Sequence, residues 1–320
     1  MPSRSLVPAS RPQPRHGPRH DPRPQAIGNP CSHPGRHLPR PGREGPDLAD
    51  GPPRDAALHP RRRHVTSVHP RSRPMDPDIL RDALDAFADG RTAAIRRKEG
   101  GPLKGIRGVP DGEVARLADA AWRESPPDLD GDRAALMELF SGALEDGLVA
   151  IGLVAARLPD DPEAAYELGL AWLDRVDDLH TADALGSLIL GPGVLAAQRP
   201  LASLQQRAHA GAHVAIRRAV LSAALAWLPE PLTGPAVAPL RARLDVPKVA
   251  FVEAPLSDAL TVWANAFHRD DAPPVRKALR RILRAWTRQD PAAVADWGAS
   301  VSGGLPKLLG DEVKRAVRKA

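Results

Sequence analysis

The sequence predicts an all-α protein: a right-handed α-solenoid of HEAT-like helical repeats, preceded by a disordered Pro/Arg-rich N-terminal tail. Three observations carry this. Composition changes near residue 74: of 36 Pro, 17 fall in residues 1–74, alongside 14 Arg, 7 His and 5 acids, with no Lys and no aromatic residue. From Asp76 onward Ala, Leu, Arg, Glu and Asp dominate and β-branched runs are absent, a helix-forming composition. Amphipathic stretches of about 12–18 residues then alternate with short Pro, Gly and Asp punctuation, the layout of stacked helix pairs. The unit is not a strict sequence repeat, so a compact helical bundle is the competing arrangement.

The expected organisation is a tail over 1–74 and a helical domain over 75–320. The tail has too little apolar surface to offset chain entropy, and its prolines block helix and central strand. It carries a net charge of +9 against −3 for the rest, so the basic pI belongs to the tail and does not by itself argue for nucleic-acid binding. Arg61-Arg62-Arg63 reads first as a solvated basic run. Met75 is an alternative start, because Asp76-Pro77-Asp78 supplies an N-cap, a first-turn Pro and a first-turn acid.

From there the pattern gives helices over 77–97, 111–124, 132–146, 147–158, 162–175, 178–190, 193–208 and 211–228. Pro126-Pro127, Pro159-Asp160-Asp161-Pro162 and Gly191-Pro192-Gly193 act as breaks. Residues 229–254 are Pro-rich and read as an irregular connection. Helices over 255–268, 273–289, 291–301 and 310–319 complete the chain, the second of them opened by Pro273-Pro274. Trp172, Trp227, Trp263, Trp286 and Trp297 fall at apolar helical positions and are expected in the core.

Several function classes drop out. The single cysteine, Cys31, allows no intrachain disulfide and no cysteine zinc cluster. The longest apolar run, Leu148 to Ala156, is far short of the roughly 20 residues of a membrane span. The N-terminus lacks a 7–15-residue apolar core, so no secretory signal is expected, and a soluble, cytoplasmic protein is expected, associated with the nucleoid if bacterial. GxGxxG, P-loop, HExxH and GxSxG motifs are missing. His209 and His213 stand four apart without a third ligand nearby in sequence, so no metal and no cofactor is expected.

Three places stand out chemically. Asp183 lies at the edge of the stripe Leu179, Ala182, Gly186, Ile189 and Leu190, where a carboxylate needs a partner or a wet cleft. Arg217 falls within the apolar face Val214, Leu221, Ala224, Leu225 and Leu228, with Arg218 flanking it. Such an arginine meets a carboxylate or a polyanion, and Asp183 is one candidate. The helix after Pro274 carries Arg276, Lys277, Arg280, Arg281, Arg284 and Arg288 with no acid between Asp271 and Asp290. It is either a phosphate-binding surface or a solvated basic face.

Four segments give the body a family likeness: Gly105-Ile106-Arg107-Gly108-Val109-Pro110; Thr181-Ala182-Asp183 with Leu190-Gly191 beyond it; Ile216-Arg217-Arg218-Ala219-Val220; and Val275-Arg276-Lys277-Ala278-Leu279 through Ile282-Leu283-Arg284 to Pro291-Ala292-Ala293-Val294. In order and spacing, over about 105–301, they resemble the DNA alkylation repair protein family, the AlkD-like HEAT-repeat DNA glycosylases. The resemblance implies excision of cationic N3- or N7-alkylated purines from duplex DNA gripped from the concave side. It also implies Asp183 as the catalytic carboxylate, Arg217 as a phosphate contact and Arg284 as a basic position of the next repeat. Arg218, Arg276, Lys277, Arg280 and Arg281 join them as DNA-binding candidates. Where the family's cleft has two tryptophans, this sequence has Leu179 and Arg281. The readings are therefore a glycosylase, a non-catalytic binder of damaged or branched DNA, or a protein–protein scaffold, each expected as a monomer with no membrane and no metal partner.

Overall fold

The computed structural model describes residues 74–99, 105–209, 211–228, 236–244, 256–301 and 303–320, and every regular element among them is helical. The expectations for the tail, for Arg61-Arg62-Arg63 and for Cys31 lie outside the described residues. The helices are α1 Pro77–Asp85, α2 Gly90–Lys98, α3 Asp111–Glu124, α4 Arg133–Phe140, α5 Leu144–Arg157, α6 Pro162–Leu173, α7 Leu179–Leu185, α8 Gly191–Ala196, α9 Leu201–Gln205, α10 Val214–Ala223, α11 Val237–Arg243, α12 Leu256–Phe267, α13 Pro273–Gln289, α14 Pro291–Ser300 and α15 Lys307–Val317.

Contacts between the helices follow sequence order and separate into two layers. One layer runs α3, α5, α7, α10, α13, α15, each packed on the next. The other runs α4, α6, α8, then the 3-10 turn Ala224–Trp227 and α12. This is the stacking of an α-solenoid, in which each unit buries its apolar face against its neighbours. At its centre, α5 is buried from Leu144 through Ala156. The five tryptophans expected in the core are all buried. Trp227 Nε1 donates to Gly191 O (3.0 Å), Trp263 Nε1 to Val220 O (3.1 Å) and Trp297 Nε1 to Asn265 Oδ1 (2.9 Å), so each ring goes inside with its polar atom satisfied. A fully buried side chain of this kind contributes about 1.5–3 kcal/mol.

Several boundaries differ from those expected, each for a local reason. The helix expected over 77–97 is broken, because Asp89 turns the chain and caps α2 by accepting from Thr92 N at 2.7 Å. The division expected at 146/147 lies at Ser141–Ala143, where the Asp146 carboxylate accepts from Ala143 N and starts α5. The helix expected over 193–208 is interrupted before Pro200, with Gln198 in the left-handed region. Residues 237–243 of the Pro-rich connection form α11, which packs back on α3. The last helix begins at Lys307 rather than 310.

The largest difference is at Gly191-Pro192-Gly193, which does not break the chain's helical course. A π turn over Gly186–Leu190 joins α7 to α8, with Gly191 N–H donating to Gly186 O. This widening absorbs the missing N–H of Pro192, and Arg241 Nη2 donates to the Ser187 carbonyl at 2.9 Å. A methyl group on Gly186 would lie 2.2 Å from Ala219 O, and one on Gly191 would lie 2.3 Å from Ala223 O. Only glycine lets α7 approach α10 this closely. The continuous stretch Leu179–Ala196 is long and apolar enough to resemble a membrane span, yet 78% of it is buried among α5, α6 and α10. It is the core helix of the stack.

Candidate nucleic-acid interface

The close approach of α7 and α10 places Asp183 against two residues of α10 one turn apart. Arg218 Nε donates to Asp183 Oδ1 at 2.8 Å and Nη2 to Oδ2 at 2.6 Å, a two-pronged pair. Ser222 Oγ donates to Oδ1 at 2.8 Å. From α13, Arg281 Nη1 reaches Oδ2 at 3.0 Å. Arg218 Nη1 also donates to Pro274 O at 3.1 Å, which ties α10 to the start of α13. Three helices of one layer thus converge on one carboxylate.

Asp183 is buried. Burial pushes its carboxyl up, but the hydrogen bonds and charge of Arg218, the charge of Arg281 and the Ser222 hydroxyl outweigh this and hold it below the usual carboxylate range. The group is ionised at neutral pH, and the trio Asp183, Arg218 and Arg281 carries one net positive charge. Arg281 keeps a 28% exposed side chain and is the outermost of the partners. Leu179, in the first turn of α7, is half-buried.

Arg217 does not meet Asp183. Its Nη1 pairs with Asp270 Oδ2 at 2.5 Å, and Arg276 Nε donates to Asp270 O at 2.6 Å. The neighbouring Arg218 pairs with Asp183, one candidate partner for Arg217 by sequence, because residues 218 and 222 share the face turned to α7 whereas 217 is rotated about 100° away. Further along α13, Arg280 Nε and Arg284 Nη2 both donate to Glu312 Oε1, at 2.7 and 2.9 Å. Arg315 Nη1 takes Oε2 at 2.5 Å. Lys277 is exposed. The basic face of α13 is therefore not simply solvated: much of it is held in place by acids from other helices. His213 caps α10 by accepting at Nδ1 from Ala215 N at 3.4 Å, and no cluster of three or more His, Cys, Asp or Glu placed to hold a metal ion occurs among the described residues.

The sequence profile of the DNA alkylation repair enzyme family matches residues 80–308, which spans nearly all of this architecture. The chain belongs to that family. No curated protein and no solved structure matches it. As a DNA alkylation repair protein it presents its α7, α10 and α13 residues around a single paired carboxylate. Arg218, Arg281 and Asp183 are brought together. Arg280 and Arg284 form a second group around Glu312, and Arg217 and Arg276 a third around Asp270. Ser222, Asp270 and Glu312 escape a reading of the sequence. Ser222 had a usable signal in its four-residue spacing from Arg218, but Glu312 lies in a segment whose alternating charges look like ordinary helix surface, and Asp270 lies in the short polar connection between α12 and α13.

Proposed function

We propose that this DNA alkylation repair protein hydrolyses the N-glycosidic bond of cationic N3- or N7-alkylated purines in duplex DNA. The observation that carries the reading is the Asp183 carboxylate, buried, held ionised and oriented by the fork of Arg218. An alkylated cationic purine leaves as a neutral base. As its bond to C1′ breaks, positive charge develops on the deoxyribose, and a fixed carboxylate stabilises it. Water adds its oxygen to C1′, releases a proton and leaves an abasic site. Arg281 is the partner of Asp183 that a DNA phosphate would draw away, since its contact is the longest and its side chain the most exposed. Its departure uncovers Oδ2 while Arg218 keeps the carboxylate aligned.

A second reading is a non-catalytic binder of damaged or branched DNA. It is favoured by the net positive charge of the trio and by Arg281 at a position where an aromatic ring would stack on a cationic base. Base release from duplex DNA methylated at N7 of guanine and N3 of adenine separates the two. Under the first reading the wild-type chain releases base and Asp183→Asn is slower by about a hundredfold or more. Release at equal rates by both proteins overturns the role of Asp183. No release, with salt-sensitive binding to the same duplex, establishes the second reading.

A further inference from the structure

Beyond the Asp183 centre, the described residues hold a second cationic arrangement, between α13 and α15. A groove of about 360 Å³ is lined by Arg284, Thr287 and Arg288 of α13, by Arg315 of α15 and by Lys319 in the turn just beyond it. No acid lines it. Beneath its wall, Glu312 is 0% exposed and gathers Arg280, Arg284 and Arg315. It is covered by these guanidinium groups rather than by apolar core. Burial pushes the Glu312 carboxyl up, and the hydrogen bonds of Arg284 and Arg280 outweigh this and lower it, so it remains charged. One carboxylate against three arginines leaves two positive charges, to which Lys319 adds.

The chemistry of this arrangement is that of an oriented anion site. Each guanidinium carries five N–H donors in a fixed fork, and Glu312 takes one from each of the three. The Arg284 and Arg315 side chains remain 42% and 46% exposed, so donors are left facing the groove. Thr287 spends its hydroxyl on Leu283 O at 2.7 Å and contributes a neutral floor. Holding the arginines on a shared carboxylate removes rotamer freedom before any ligand arrives, which lowers the cost of binding.

We propose that this groove is a second phosphodiester site, taking backbone phosphates of duplex DNA that flank the nucleotide at Asp183. The assignment rests on the DNA-binding reading above. The groove is open and much larger than one phosphate, which suits a strand passing through it. Arg281, Arg284 and Arg288 follow one another at spacings of three and four along one face of α13. At 1.5 Å per residue they span about 10 Å, close to three base-pair rises along a duplex axis. The stripe thus runs continuously from the Asp183 carboxylate into the groove.

The test is fluorescence anisotropy of a labelled duplex with the full chain, titrated over a range of salt concentrations. Arg315→Gln with Lys319→Gln is expected to weaken binding about tenfold and to reduce the salt slope by about two. Lys319→Glu alone, which leaves the Glu312 cluster untouched, is expected to weaken binding in the same direction. Arg123→Gln with Arg133→Gln removes the same charge from α3 and α4 and serves as control. Wild-type affinity and slope in both groove variants, while Arg218→Gln or Arg281→Gln weakens binding, overturns the groove and leaves the DNA-binding reading intact. An equal loss in the control overturns it too, since the effect is then that of net charge. If calorimetry shows inorganic phosphate bound by the wild type and lost in the groove variants with DNA affinity unchanged, the ligand is free phosphate and the DNA assignment fails. A wild-type chain without salt-dependent DNA binding overturns both readings together.

Discussion

Asp183→Asn tests the central arrangement through stability as well as activity. The substitution keeps the size of the side chain but removes the charge that Arg218 and Arg281 share. Arg281 tolerates the loss of this contact better, because its side chain is already 28% exposed. Arg218 is 13% exposed and keeps Pro274 O and the neutral amide oxygen of the new side chain as acceptors, with no carboxylate to balance its charge. A buried charge stranded in this way costs about 3–5 kcal/mol, and the remaining acceptors place the expected loss near the low end, about 3 kcal/mol. In a domain of this size that corresponds to a Tm lowered by about 6–12 °C. Urea unfolding of wild type and variant at neutral pH measures it directly.

The pH dependence gives the same prediction a second arm. The native Asp183 carboxyl is held below its unfolded value. Its stabilisation is therefore complete above an ordinary aspartate pKa of about 3.9 and is lost as pH falls from there through the native value. The two proteins are expected to converge in stability below that range. A variant as stable as wild type at neutral pH, or a gap that persists unchanged in acid, refutes the view that an ionised Asp183 holds α7, α10 and α13 together.

Three further outcomes follow from neighbouring contacts. Gly186→Ala puts a methyl 2.2 Å from Ala219 O and must push α7 off α10; a loss of about 1–3 kcal/mol in thermal or urea unfolding is expected, and base release or DNA binding falls with it. Arg241→Met strips the donor from the Ser187 carbonyl at the π turn, leaving a buried acceptor open; relief of the buried guanidinium offsets part of this, and urea unfolding is expected to show a net loss of about 1 kcal/mol, so a gain in stability contradicts the account. Glu145 is fully buried and accepts from Arg96, from Arg107 N at 3.0 Å and from Gly108 N at 2.9 Å; Glu145→Gln is expected to cost about 3–5 kcal/mol in a melt while leaving DNA affinity at temperatures below the transition unchanged.

The sequence by itself determined the all-helical class, because helix-forming composition and 3.6-residue periodicity are local properties. It located α3, α13 and α14 to within a residue, where Pro110, Pro273 and Asp290-Pro291 fix the starts. Its four segments, in order, were enough to point to the DNA alkylation repair family, and it singled out Asp183 as a carboxylate needing a partner. It misread Gly191-Pro192-Gly193, since a proline within a glycine pair is a break by local rules. Only the approach of α10 and the Arg241 donor make a π turn the better solution there. For Arg217 the sequence implied a carboxylate or a polyanion, with Asp183 as one candidate; Arg217 meets the carboxylate of Asp270 instead and the flanking Arg218 meets Asp183, because a rotation of one residue decides which carboxylate each reaches. The gathering of Arg280, Arg284 and Arg315 on Glu312 brings together side chains about 30 residues apart in sequence. Pairings of that kind depend on distances between helices, which periodicity along one helix does not contain; the tertiary structure alone decides them.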